Sequence, residues 1–339
     1  MTFLRIISVA VLTVGLLMTG GRAEAQGLIR DAEIERTLAQ MSYPLYKAAG
    51  LSPSTVEMYI INDRSLNAFV ASGRNIFLNT GLLITLDTPE ELQGVIAHEI
   101  GHITGGHIAR RAIKLRNAQG PAIIGALAGI AIAAAGGGAA GAAISAGSQG
   151  VLIRDILRHS RAEEASADQA AINYLRRSNI DPSGLRRVFE RFQGQEAFTV
   201  GNVDPYAVTH PLSSQRLQLI DRRLSEVDSS TIRRNEETAY WHARMRSKLD
   251  GFLNSPERVL DILDRQEPSE FTLYARAIAL HRVPSPQEAV DAVDRLIALR
   301  PDDPFYIELK GQILFESGDA VSATPLYRKA SRLAPSEPL

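Results

Sequence analysis

The chain of 339 residues has no cysteine. That absence excludes a disulfide framework and every thiolate metal site, so any bound metal must take nitrogen and oxygen ligands. An excess of charge is also missing. Thirty-seven Lys and Arg stand against 38 Asp and Glu, a formal net charge of -1, so no basic field points to nucleic acid and no acidic tail to a cationic partner. An unbroken apolar run of membrane-spanning length is lacking as well. The run from Ile6 to Thr19 is short for a span, and the uncharged segment 118–153 is cut by Gly136-Gly137-Gly138 into pieces that are each too short.

With 45% hydrophobic residues, the chain can bury a sizeable core and has length for two domains. Arg5, the short apolar run and Ala23-Glu24-Ala25 read as a cleavable secretory signal over residues 1–25, the alternative being an uncleaved anchor. No cysteine follows the run, which excludes a lipoprotein anchor. Such a signal exports the protein, to the periplasm if the source is Gram-negative. The segment 120–150 reads as a hairpin of small-residue helices or a flap on the protein; the sharper alternative is peripheral contact with a membrane or an apolar client.

Residues 55–61, TVEMYII, and 67–78, NAFVASGRNIFL, are rich in β-branched and aromatic residues, and Ser72-Gly73-Arg74-Asn75 breaks the second like a hairpin turn. A small antiparallel sheet is expected there. A helix should begin at Pro89, with Thr88 as N-cap and Glu91 closing a capping box. A second helix is expected over 160–177 with Asn179 at its end, a third from Asp181-Pro182, and another after Ser213 beyond a turn at His210-Pro211. Further on, 288–301 and 322–335 align at an offset of 34 residues, Ala289, Leu299 and Pro301 falling on Ala323, Leu333 and Pro335. That period is the tetratricopeptide signature of paired helices, although an ordinary helical bundle could show it. The composition shifts near Ser225–Arg234, so the expected division is a domain over 26–230 and a repeat domain over 238–339.

The chemistry concentrates in VIAHEIGHITGGHIARR, residues 95–111. On a helix His98 and His102 share one face and can share one cation, with Glu99 beside them. His-Glu-x-x-His is a zinc-protease pattern in which the histidines bind the metal and the glutamate handles the proton of the attacking water. His107 is one residue early for the third histidine of the metzincin spacing. On a continuous helix it points about 180° away from His98, which reads as surface or structural. A third ligand must come from elsewhere. AEEASAD offers Glu163, Glu164 and Asp168, of which Glu164 and Asp168 are four apart on one face; one can bind metal while the other orients a ligating histidine.

The export signal, HEIGH, the ExxxD of EASAD and HPLSSQR, taken in that order, resemble a family of membrane-associated zinc proteases that includes the CAAX prenyl protease and the heat-shock protease HtpX. An exported catalytic domain followed by repeats is most similar to its β-barrel assembly-enhancing (BepA-like) branch. The resemblance implies a mainly α fold with a small antiparallel β-sheet, a gluzincin-type domain followed by an all-α tetratricopeptide-like domain. It makes His98, His102 and Glu164 the ligands of one Zn²⁺ per chain, Glu99 the general base and Asp168 the acid that orients a ligand. Glu163 matches no family position. His210 becomes a histidine near the metal, able to plug its open position or to stabilise the transition state, and Arg216 an arginine facing the site. NAFVASGRNIFL becomes the edge-strand region beside the cleft. The implied function is a periplasmic zinc metalloendopeptidase of envelope quality control, with unfolded or outer-membrane proteins as substrates and assembly machinery bound through the repeats. The alternative is an assembly factor acting mainly by binding, with latent proteolysis.

Overall fold

The computed structural model describes residues 27–71, 74–110, 150–196, 210, 213–227, 232–283 and 285–337. The expected signal and most of the uncharged segment 118–153 lie outside them. Among the described residues no helix is long and apolar enough to cross a membrane.

Strand β1 (Leu28–Ile29) leads into helix α1 (Ala32–Ala49), capped by Asp31, whose carboxylate accepts from Ile34 N–H. Strands β2 (Glu57–Ile61), β3 (Ala68–Ala71) and β4 (Asn75–Asn79) follow, then α2 (Thr80–Thr85). The sheet order is β1-β2-β4-β3. It is mixed rather than antiparallel: β1 pairs antiparallel with β2 and β3 with β4, but β2 and β4 run parallel with Glu57 opposite Asn75. Strands β3 and β4 pair as the expected hairpin, Ala71 lying opposite Asn75, while residues 72 and 73 of the expected turn lie outside the described residues. Local sequence does not fix which of those two strands β2 joins. Strand β3 falls in sequence between the parallel neighbours β2 and β4 and is left at the edge. Period-two alternation holds: Ile60, Ala68, Val70, Ile76 and Leu78 are buried, while Tyr59, Phe77 and Phe69 stack across the other face at centroid distances of 5.2 and 5.1 Å.

Helix α3 (Pro89–Thr104) starts where expected, with Thr88 Oγ1 accepting from Glu91 N–H. The glutamate reaches one residue further back than a capping box, accepting from Asp87 N–H at 2.8 Å. Helices α4 (Gly150–Arg177), α5 (Ser183–Glu196) and α6 (Ser214–Leu224) complete the site-bearing part. Asn179 ends α4 with a left-handed φ of 56°, a conformation its short polar side chain tolerates. Helix α3 runs through the core. Its Leu92, Val95, Ile96, Ala97 and Ile100 pack with Leu175, Leu185, Val188 and Phe189 in one cluster that also takes in α1 and the sheet. At Gly101 α3 and α4 come close together: a Cβ there would sit 2.8 Å from Ala167 O.

The remaining helices are α7 (Glu236–Leu253), α8 (Pro256–Leu263), α9 (Glu270–Arg282), α10 (Pro286–Leu299), α11 (Pro304–Glu316) and α12 (Ala320–Leu333). The starts of α9 and α11, residues 270 and 304, and of α10 and α12, residues 286 and 320, repeat the 34-residue spacing. Small residues at that offset, Ala277 and Gly311 and likewise Ala289 and Ala323, are all buried. Leu299 and Leu333 are exposed. A second core joins Tyr274, Ile278, Val293, Leu296, Tyr306 and Ile313. Helix α7 belongs to both halves. Its Met245 and Leu249 lie in the first core, while its Arg244 and Lys248 enter a buried ion cluster. Arg244 pairs with Glu33 of α1 and with Asp303 at the cap of α11, Lys248 Nζ lies 3.1 Å from Glu33, and Tyr274 donates to Glu33 at 2.6 Å.

Candidate metal centre

His98 and His102, one turn apart on α3, project together as their spacing requires. Both are buried, their Nε2 atoms 3.0 Å apart. Helix α4 brings Glu164 against them: its Oε2 is 3.2 Å from His98 Nε2 and its Oε1 3.3 Å from His102 Nε2. His210 closes the fourth side, its Nδ1 3.1 Å from Glu164 Oε2 and 3.2 Å from His98 Nε2. One ligand atom from each of these four residues falls within 4.8 Å of all the others. Asp168 stands behind His98, with Oδ1 3.0 Å from Nδ1. Arg216, buried in α6, grips Asp168 through two hydrogen bonds of 2.7 and 2.8 Å, lies 3.2 Å from Glu164 Oε2, and donates to the His210 carbonyl at 3.3 Å. Its guanidinium carbon lies 4.8 Å from the Phe189 ring centroid. Arg216 therefore holds acids and a loop in register.

Glu99 is fully buried, and neither carboxylate oxygen has a hydrogen-bond donor in good geometry; the nearest ring nitrogen, His210 Nε2, is 3.4 Å away. Burial raises its pKa above the usual carboxylate value, against the opposing pull of His210 and His98. Burial would lower His98, but the carboxylates of Asp168 and Glu164 against its two ring nitrogens hold its pKa up at about 10. His102 is pushed down to about 3, mainly by burial. Burial also opposes ionisation of Asp168, and the Arg216 bonds overcome it and lower that carboxyl. Three buried carboxylates, Glu99, Glu164 and Asp168, face one guanidinium, so the pocket favours cationic charge where the imidazoles converge. A donor set of imidazole nitrogens and one carboxylate, with two unpartnered oxygens of Glu99 beside it, fits a bound divalent transition metal.

The site residues expected from sequence, His98, Glu99, His102, Glu164, Asp168, His210 and Arg216, thus come together. Glu163 stays outside the four-residue group, half-buried, where its charge acts on His107. His107 departs from expectation. It is buried, and its Nδ1 lies 2.9 Å from His102 Nδ1. The continuous helix assumed for it stops at Thr104, and Gly106 turns the chain with φ 64°. The Gly105-Gly106 pair was the overlooked signal. Also unforeseen is the Ala68 carbonyl of edge strand β3, which accepts from His210 Nε2 at 3.2 Å. The other ring nitrogen, Nδ1, is thereby turned into the cluster, 3.1 Å from Glu164 Oε2.

Residues 29–224 match the family model of Peptidase family M48. The chain is 26% identical over 295 residues to a β-barrel assembly-enhancing protease of Escherichia coli (strain K12), an alignment covering 84% of this chain and 59% of that one. It therefore spans about three fifths of that relative's length. It is 27% identical to metalloprotease LoiP of the same organism, over 58% of this chain and 72% of LoiP. It is also 27% identical to the mitochondrial metalloendopeptidase OMA1 of Schizosaccharomyces pombe, over 52% of this chain and 49% of OMA1.

Proposed function

The chain belongs to peptidase family M48, and from that premise we propose that it is an exported zinc metalloendopeptidase of cell-envelope protein quality control. Its substrates are then misfolded or stalled outer-membrane proteins, and its helical pairs at the 34-residue period form a tetratricopeptide-like surface for assembly machinery. The relatives named for β-barrel assembly and the export signal read from residues 1–25 support the setting. The observation that carries the reaction is the convergence of His98, His102 and Glu164 beside a buried, unpartnered Glu99.

His98, His102 and Glu164 would hold one zinc, which when bound supplies Lewis-acid polarisation of the attacking water and the scissile carbonyl. The chain's own groups do the rest. Asp168, its Oδ1 3.0 Å from His98 Nδ1, favours the tautomer that leaves Nε2 to face the metal, and Arg216 keeps that carboxylate ionised and in place. Glu99 takes the water's proton on a carboxylate oxygen and passes it to the departing amide nitrogen. The dry surroundings of Glu99, by raising its pKa, bring it closer to the value a base needs at neutral pH. His210, with its Nδ1 3.1 Å from Glu164 Oε2 and 3.2 Å from His98 Nε2, would compete with water for a bound metal as a plug and keep the resting enzyme latent. That placement also favours the second reading, an assembly factor acting mainly by binding whose proteolysis is switched on by displacement of His210.

Zinc analysis and casein digestion by the mature protein, wild type beside Glu99→Gln, test the first reading. We expect one zinc per chain in both proteins and cleavage only in the wild type. A Glu99→Gln variant that cleaves at the wild-type rate removes Glu99 from the base role and with it the proposed chemistry.

A further inference from the structure

His107 approaches the metal centre through His102. Helix α3 ends at Thr104, Gly106 takes the left-handed φ of 64°, and a Cβ on Gly105 would lie 2.4 Å from His107 Nε2. Two glycines in succession therefore let the chain turn and lay the His107 ring back along the last turn of α3. There His107 is 2% exposed, with its Nδ1 2.9 Å from the Nδ1 of His102. The two rings meet edge-on, at 80° between planes. Two nitrogens at this distance form one hydrogen bond with one proton between them.

Which ring owns that proton follows from the other side of His102. Its Nε2 faces Glu164 and His98, and a ligand role for His102 through that atom needs the lone pair on Nε2 and the hydrogen on Nδ1. His102 donates, and His107 accepts on Nδ1 while carrying its own hydrogen on Nε2. We infer that His107 is a positioning residue: it fixes the ring orientation and tautomer of His102, so the affinity of the site for metal depends on an acceptor at position 107. The inference rests on the reading of His98, His102 and Glu164 as ligands. It makes the two ligand histidines unequal, because the Nδ1 of His98 faces the anionic Asp168 and that of His102 an imidazole. A neutral acceptor orients its ligand without adding a fourth carboxylate to the pocket.

The test compares His107→Phe, which keeps a ring and removes the acceptor, with His107→Gln, whose amide oxygen can accept in its place. Zinc affinity would be measured by chelator competition, the visible spectrum of the Co²⁺-substituted protein would be recorded, and thermal unfolding would be followed without metal. Loss of an orienting partner costs about 10–100-fold in metal affinity. We expect that loss in His107→Phe with an altered Co²⁺ spectrum, recovery to within several-fold of wild type in His107→Gln, and metal-free melting temperatures close to wild type. Gly105→Ala, which crowds the His107 ring and keeps its chemistry, should weaken zinc in the same direction and replaces His107→Phe if that variant does not fold. Wild-type zinc affinity in His107→Phe, or equal losses in the Phe and Gln variants, would overturn the role of His107 while leaving the ligands intact. A wild-type chain that binds no zinc would overturn the ligand reading and this inference together.

Discussion

Replacing Arg244 by methionine should destabilise both halves of the molecule at once. Arg244 is 0% exposed, pairs with Glu33, donates to Asp303 from both terminal nitrogens, and lies with its guanidinium carbon 3.9 Å from the Tyr306 ring centroid. Methionine fills much of the volume but returns none of the charge. Glu33, also 0% exposed, would keep Lys248 Nζ at 3.1 Å and the Tyr274 hydroxyl at 2.6 Å. Asp303 would keep only its cap N–H donors from Phe305 and Tyr306. Breaking a buried pair from one side costs about 3–5 kcal/mol, because it leaves an uncompensated buried charge. The cluster ties α1, α7 and α11 together, so the loss should fall on one cooperative transition. The single tryptophan, Trp241, lies at that junction, 5.1 Å from the Arg244 guanidinium carbon. Urea unfolding followed by Trp241 fluorescence and by far-ultraviolet circular dichroism should give coincident midpoints, both shifted down. Adding Glu33→Gln to the variant should recover part of the loss. A change under about 1 kcal/mol, well below the cost of an orphaned buried charge, or separate midpoints for the two probes, would refute the reasoning.

His242 is 2% exposed with Nε2 unpartnered, and burial, assisted by Arg246, lowers its pKa to about 3. A depressed folded pKa gives stability that is complete above the unfolded value near 6.5 and lost as pH falls toward 3. The wild type should therefore lose about 2 kcal/mol more than His242→Phe between pH 7 and pH 5, as read by urea midpoints; parallel pH profiles would contradict it. His210→Ala should raise basal casein cleavage at matched zinc content, and a fall would assign His210 to the transition state instead. Gly101→Ala should cost about 1–3 kcal/mol by overpacking and weaken zinc retention on dialysis; full retention would mean that α3 and α4 can separate without moving their ligands. Glu164→Ala should lose zinc, and full retention would shift the ligand assignment to another acid.

The convergence of the buried imidazoles and carboxylates was legible because their spacing is helical. His98 and His102, and Glu164 and Asp168, sit one turn apart, and that period survives tertiary packing. The helix starts at Pro89 and Ser214 were legible from their caps. The mixed sheet was not, because strand order is a long-range choice and the turn at 72–75 specifies only its own hairpin. His107 was misplaced by extending one helix through two glycines. The contact of His210 with Ala68 O spans 142 positions and uses a backbone carbonyl, a group every residue carries and no motif can mark. Nor does composition reveal that α7 packs in the first core, since Met245 and Leu249 suit either half.

Around the contact of α3 with α4 the two ligand motifs mirror each other. Gly101 follows His98 by three positions and precedes His102 by one; Ala167 stands in the same relation to Glu164 and Asp168. The backbone distance between those two small residues thus sets the span across which imidazole and carboxylate must meet one ion. In His-Glu-x-x-His the second x is written as a wildcard, yet in this chain it works as a gauge block: its lack of a side chain is a length. Motif searches that admit any residue there will therefore accept sequences whose donors are all present and whose ion does not fit.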